Sequence, residues 1–277
     1  TYYGQLAAAR IGMRETALEP PPAMSAARRA ALSQAEIVRA VDLLYEIGER
    51  SLVIPFVADL ERVDDAGALT LIAELAREHG HARAAVLMGK EAVSRGLPLD
   101  FHAFPTYGLP RYTPIGPPVE AAIVYSIARQ ESAFNPRTVS PANAMGLMQV
   151  TPAAGEYIAQ TYGVKYNRRR LLHDDVYNVQ MGAAELGGNI QTYRGSYILA
   201  FAAYNAGRGR VKQWITRFGD PRDPRVDPVD WVERIPFAET RNYVQRIMEN
   251  LQAYRVRFGH GNRLLIEADL HRGSSVN

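Results

Sequence analysis

The sequence predicts an all-α, mainly helical protein in two halves, and three observations carry that prediction. Apolar residues recur at helical spacing through roughly the first 100 residues, with short breaks between them. Later stretches ending near Glu131, Leu186, Gly207 and Phe258 read as further helices, and two proline-rich interruptions punctuate the chain. At 277 residues the chain is long enough for about two domains. We divide it into a helical-repeat segment over 1–100, a proline-rich linker over 101–117 and a second helical domain over 118–277.

In the first segment Ile37, Val41 and Leu44 share one helix face, as do Leu71, Ile72, Leu75 and Ala76. Gly80 ends that helix, and Ala85, Val86 and Met88 belong to the next. Short helix pairs that bury their apolar faces on their neighbours are the pattern of an α-solenoid, here its end. From Phe101 to Pro118, five prolines exclude a helix, and the aromatics among them predict a linker packed on a surface. Val119, Ile123 and Ile127 then form a core-facing row on a helix that must stop by Asn135, because a residue before proline avoids the helical region. Ser140 to Gly146 has turn chemistry. Thr151-Pro152 reads as an N-cap followed by proline at the first helical position, and Asp174 and Asp175 open the helix carrying Asn178, Met181 and Leu186. Ser196 to Gly207 is a short helix with almost no polar face; Asp220 to Asp230 is an exposed connecting loop; a long helix runs from Pro236 to about Phe258.

One residue breaks the apolar pattern in a chemically useful way. Glu131 continues the row Val119, Ile123, Ile127, so its carboxyl is expected where a core residue belongs. Burial disfavours the charged form and raises the pKa, as an acid that must hold its proton near neutral pH requires. A lone helical glutamate more often pairs with a neighbour, here Arg129 or Arg137, so the assignment needs support from elsewhere in the chain.

That support comes from motifs in fixed order. After Glu131-Ser132 come Gly146-Leu147-Met148-Gln149, then Ala203-Tyr204-Asn205-Ala206-Gly207, then Ile235-Pro236-Phe237-Ala238-Glu239-Thr240-Arg241. Together they resemble the catalytic domain of the soluble lytic transglycosylases over roughly Pro118 to Phe258. The resemblance implies a goose-lysozyme-like α domain with at most a small β-ribbon, preceded by the end of a superhelical α-solenoid. It implies cleavage of peptidoglycan between N-acetylmuramic acid and N-acetylglucosamine, with formation of a 1,6-anhydro end by one glutamate acting as acid and then base. Carried over residue by residue, it makes Glu131 and Tyr204 catalytic, and Ser140, Met148, Gln149, Asn205, Glu239 and Tyr243 substrate-binding. Bland roles stand beside several of these: Met148 suits core packing as well as the cleft floor, and Glu239 suits a helix first turn as well as a groove. Asn143 and Thr151 depart from the family pattern, which often has glycine and methionine there. Only one carboxylate in this half has a convincing setting, which fits a transglycosylase better than the two-carboxylate glycosidases. A goose-type lysozyme-like hydrolase and a non-catalytic peptidoglycan-binding scaffold are the alternatives.

Composition narrows the partners. The formal charge of +3 suits glycan strands bearing peptide carboxylates, and no block of basic residues points to nucleic acid. With no cysteine, disulfides and thiolate metal sites are excluded, and no metal or cofactor is expected. No apolar run approaches the ~18 residues of a spanning helix. Thr1-Tyr2-Tyr3-Gly4 does not read as a signal peptide, so a processed or truncated chain is expected, with periplasmic export inferred from the substrate class. The helical-repeat half is the expected docking point for any cell-envelope partner.

Overall fold

The computed structural model describes residues 1–16, 18–21, 23–58 and 65–274. Its helices are α1 (Tyr2–Arg10), α2 (Ala26–Ser33), α3 (Glu36–Glu46), α4 (Arg50–Ala58), α5 (Ala66–Glu78), α6 (Ala82–Ser94), α7 (Asp100–Ala103), α8 (Ala121–Glu131), α9 (Pro152–Tyr162), α10 (Arg170–His173), α11 (Asp175–Thr192), α12 (Tyr197–Ala206), α13 (Arg208–Phe218), α14 (Pro228–Glu233), α15 (Ala238–Arg257) and α16 (Ile266–Leu270). Among the described residues the only β pairing is three isolated bridges, so the fold is all-α. The chain forms two compact units, one of residues Ala17–Gly108 and one that joins Thr1–Thr16 to Leu109–Asn277. These units cut the chain differently from the expected segments 1–100, 101–117 and 118–277, because α1 belongs with the later helices.

In the Ala17–Gly108 unit short helices pack on one another: α2 has no buried residue, α5 is buried without interruption from Gly67 to Ala73, and α3 buries a single face. On α3 that face is Val38, Val41 and Tyr45, with Ile37 and Leu44 at its flanks. Leu71, Ile72 and Ala76 of α5 meet Ala85 and Met88 of α6 in the same core. Gly80 between them has φ +61°, the left-handed conformation that stops α5. A single helical turn, α7, lies at the start of the stretch expected to be helix-free; it ends two residues before Pro105 and packs on α6.

In the other unit, α12 is the centre. Every residue from Tyr197 to Ala203 is buried, with α11, α13 and α15 around it, which is why its sequence has no polar face. The long α15 packs along α8, where Ile123 and Ile127 meet a core that includes Val244, Ile247 and Leu251, none more than 1 % exposed. Its far end is fixed by Arg255, which hydrogen-bonds Glu120 at 2.8 and 3.0 Å and Asp269 at 2.5 and 3.2 Å. A network of this kind costs desolvation as well as returning attraction, and its clearest effect is to fix geometry. α1 lies on α15 and α16: the Tyr2 amide and the Gln5 side chain both donate to Glu249, at 3.1 and 3.2 Å.

Candidate active site

Glu131 is the last residue of α8. The helix ends there and not at Asn135, because Ala133 and Phe134 adopt φ of 48° and 61°, a region that non-glycine residues rarely occupy. Two contacts hold the turn. Phe134 is buried against Tyr125, ring centroids 5.7 Å apart, and the Ser132 hydroxyl donates to the Leu147 carbonyl at 2.9 Å. Local strain of this kind persists only where the surroundings over-determine it.

The Glu131 carboxyl accepts a 2.7 Å hydrogen bond at Oε1 from the Tyr243 hydroxyl of α15. Burial pushes its pKa up to about 7; the Tyr243 bond opposes that rise, and the charges of Glu185 and Glu239 add to it. A carboxyl poised there is split between acid and base near neutral pH. Tyr243 is itself buried, and its phenol is raised well above its ordinary value, first by burial and then by Glu131. It stays a donor.

The loop from 132 to 151 carries Ser140, Met148 and Gln149. Met145 bridges Val139 on one side and Val150 on the other, an irregular wall with no ribbon. Asn143 has φ +59°, a conformation asparagine tolerates better than most residues, so it can stand where the family pattern has glycine. Gly146 is required on two grounds. Its φ is +75°, and a Cβ there would fall 2.4 Å from Asn178 Nδ2 and 2.6 Å from the Leu171 carbonyl. Asn178 is the hub beneath the loop: buried, it donates to the Met145 and Leu171 carbonyls, each at 2.7 Å, and accepts from the Met148 amide at 2.8 Å.

The expected site residues divide into two groups. The Tyr204 hydroxyl donates to the Met148 carbonyl at 2.7 Å, and the Glu131 charge acts on its phenol, so α12 and the loop converge on the acid. Asn205 accepts a 2.6 Å bond from Thr240 on α15, locking those helices beside Tyr204. Glu239 is exposed in the first turn of α15, where its charge acts on Glu131. By contrast, the bonds of Ser140 and Gln149 lie within their own loop. Ser140 Oγ accepts from the Ala144 amide at 3.1 Å, and Gln149 Nε2 donates to the Thr138 and Gly146 carbonyls at 3.0 and 2.9 Å. Met148 has no exposure and its side chain packs on α11, since an added Cβ at Gly182 would lie 2.4 Å from its Cβ. Thr151 is the N-cap of α9, accepting from the Ala154 amide at 3.2 Å.

Two residues that the sequence reading did not select lie at the centre of this arrangement. One is Asn178, described above. The other is Glu185 of α11, whose pKa burial pushes up to about 7, with the Arg208 charge opposing. Its signal was present: a carboxylate set among Ala183, Ala184, Leu186 and Gly187 is the same anomaly that singled out Glu131.

Comparison with known proteins agrees with the motifs. Residues 116–224 match the family model described as Transglycosylase SLT domain. The soluble lytic murein transglycosylase of Salmonella typhimurium is 35% identical over 163 residues, covering 58% of this chain and 24% of that protein. That of Escherichia coli K12 is 37% identical over 150 residues, covering 54% and 22%. The chain thus spans about a quarter of the length of these curated relatives. Among solved structures, the 70-kDa soluble lytic transglycosylase from Escherichia coli superposes with a TM-score of 0.74 at 27% identity, over 99% of this chain and 43% of that one. A complex of the 70-kDa soluble lytic transglycosylase with bulgecin A gives 0.71 at 27% identity, over 100% and 42%. The pattern of residues from Glu131 onward and the helical fold that assembles them point the same way: over residues 116–224 the chain is similar to the Transglycosylase SLT domain family.

Proposed function

We propose that this protein is a peptidoglycan lytic transglycosylase, acting on the β-1,4 bond between N-acetylmuramic acid and N-acetylglucosamine and leaving a 1,6-anhydro-N-acetylmuramic acid end. The observation that carries this is Glu131: a carboxyl at a helix end, raised to about 7 by burial and held, among the described residues, by the Tyr243 hydroxyl at Oε1. The other oxygen is left to work on the substrate.

In the first step Glu131 gives its proton to the glycosidic oxygen, the bond from C1 to that oxygen breaks, and positive charge develops at C1. The sugar's own N-acetyl oxygen and the site share that charge. Glu131, now a carboxylate stabilised by Tyr243, takes the proton from the C6 hydroxyl of the same sugar. The freed oxygen closes on C1, and Glu131 is returned to its acid form. No water is consumed, and tethering gives the C6 oxygen a large effective concentration. Tyr204 lies beside the reacting linkage. Asn205, Glu239, Tyr243 and the loop bearing Ser140, Met148 and Gln149 shape the groove for neighbouring sugars. The Ala17–Gly108 helices serve as the helical-repeat half, open to an envelope partner. The substrate implies a periplasmic place of action. No helix among the described residues is long and apolar enough to cross a membrane.

The test is Glu131→Gln, a near-isosteric change that removes the proton and keeps the fold. Release of muropeptides from purified sacculi should fall on the order of 100-fold or more, with glycan binding retained. Mass spectrometry of the wild-type products should show anhydro ends. A Gln variant with near wild-type release, or reducing ends from the wild type, overturns the reading.

A further inference from the structure

Glu185 is a carboxylate in the cleft for which the reaction above has no use. It stands on α11 three residues after Gly182, so the two share a helix face. Gly182 marks where that face meets the catalytic elements: a Cβ there would lie 3.0 Å from the Tyr204 hydroxyl and 2.4 Å from Met148 Cβ. One turn further along α11, Arg208 docks, its Nε donating to Asn189 Oδ1 at 2.7 Å and its Nη1 to the Tyr157 hydroxyl at 3.1 Å. Glu185 therefore sits between Tyr204 and Arg208, half-buried. Among the described residues no hydrogen bond and no ion pair engages its carboxyl, and Arg208, the cation that acts on it, spends those donors on Asn189 and Tyr157. The Glu185 charge is felt by Glu131, Tyr204 and Tyr243, which come from three different helices and converge on one space.

Removing a carboxylate from water without a partner is costly, and such groups persist where a ligand or a transition state supplies the compensation. We infer that Glu185 is a second carboxylate of the catalytic cleft, ionised during turnover, which stabilises the positive charge that develops on the reacting sugar as Glu131 protonates the linkage. This rests on the reading of Glu131 as the acid. The compensating charge exists only at the transition state, so the benefit falls on kcat and not on ground-state binding.

Two carboxyls close enough for the charge of Glu185 to act on Glu131 cannot both ionise cheaply, so the productive form holds one proton between them. The linkage oxygen, as acceptor, keeps that proton on Glu131; Arg208 favours charge on Glu185. The other titratable groups around the pair are Tyr204 on α12 and Tyr243 on α15, with Tyr157 and Tyr162 on α9 beside Arg208 and Glu239 at the start of α15. Tyr162, Tyr204 and Tyr243 are raised above their ordinary value of 10.0 and keep their protons at working pH.

The experiment measures kcat and KM against pH for the wild type, Glu185→Gln, Glu185→Asp and Glu131→Gln on one defined glycan, with product ends identified. The wild type should give a bell-shaped profile. Glu185→Gln should lower kcat about 100-fold, the scale of losing one preorganised electrostatic group, with KM within about threefold. Its acid limb should vanish and its basic limb should move to lower pH, since a like charge has left Glu131. Glu185→Asp should recover part of the rate and restore the acid limb. A Glu185→Gln enzyme within about threefold of wild-type kcat overturns the inference. So does a slow one that keeps both limbs, which would mark a structural role. If wild-type reducing ends disappear in Glu185→Gln, the residue activates water, and the stabilising role fails. Should Glu185→Gln not fold, the Glu185→Asp profile decides alone. An active Glu131→Gln defeats the acid assignment itself, and the Glu185 profiles remain readable apart from it.

Discussion

The Tyr243 hydroxyl donates a 2.7 Å hydrogen bond to Glu131 Oε1, so one residue of α15 fixes which oxygen of the α8 carboxyl is already engaged. The bond also favours the ionised form. Tyr243→Phe should therefore raise the Glu131 pKa above its value of about 7 and loosen its orientation. We expect kcat to fall roughly 10- to 100-fold and the basic limb of the pH–rate profile to move to higher pH. An unmoved basic limb in an otherwise folded variant would mean that Tyr243 does not tune the acid.

Tyr204 and Glu239 should separate in kinetics. Tyr204→Phe removes a half-buried donor from the Met148 carbonyl and a hydroxyl on which the Glu131 charge acts, so it should lower kcat. Glu239 is exposed, and Glu239→Gln should raise KM with little change in kcat. Steady-state assays on one defined glycan check this. Equal collapse of kcat in both would make Glu239 a reacting group.

The pH dependence of stability has a definite sign. Glu131 and Glu185 each rise from an ordinary 4.5 to about 7 on folding, so the native state keeps protons that the unfolded chain releases in that window. The contribution of these two groups to stability is fully present below about 4.5 and is lost as pH rises through 7. Replacing either residue with glutamine should stabilise the protein by about 1–3 kcal/mol at pH 8 and by nearly nothing at pH 4. Urea unfolding at the two pH values tests it; a gain larger at pH 4 would contradict the buried-carboxyl picture.

Asn178→Leu should be severe for a mechanical reason. It strands the Met145 and Leu171 carbonyls and the Met148 amide, all bonded to one side chain. Each buried group left unpaired costs about 1–3 kcal/mol, so a loss of roughly 2–4 kcal/mol after relaxation is expected, together with activity, since Tyr204 bonds the same loop. Gly146→Ala should act in the same direction through its φ of +75° and the 2.4 Å approach of Asn178. Thermal melts that leave either variant within about 2 °C of wild type would count against the hub.

The all-α class was legible because periodicity is a local property: Val41 on α3, Ile123 and Ile127 on α8 and the unbroken apolar run of α12 each declare a face or a full burial without reference to anything distant. The caps at Thr151 and Asp174 were legible for the same reason, since the side chain and the amide it satisfies lie within three residues of each other. Glu131 was found because it interrupts an apolar row. What the sequence could not determine was whom each polar group meets. That Ser140 and Gln149 serve their own loop, that Asn178 holds three backbone groups from two segments, and that Tyr243 reaches Glu131 across 112 positions depend on long-range packing. The placement of α1 on α15 is of this kind too, since nothing in Tyr2–Arg10 names a partner more than 200 residues away. Glu185 falls between the two cases: its apolar setting could be read from its neighbours, whereas its convergence with Glu131, Tyr204 and Tyr243 arises only when α8, α11, α12 and α15 pack together. Hydrogen-bond and charge partners are fixed by three-dimensional distance, and no local pattern encodes that.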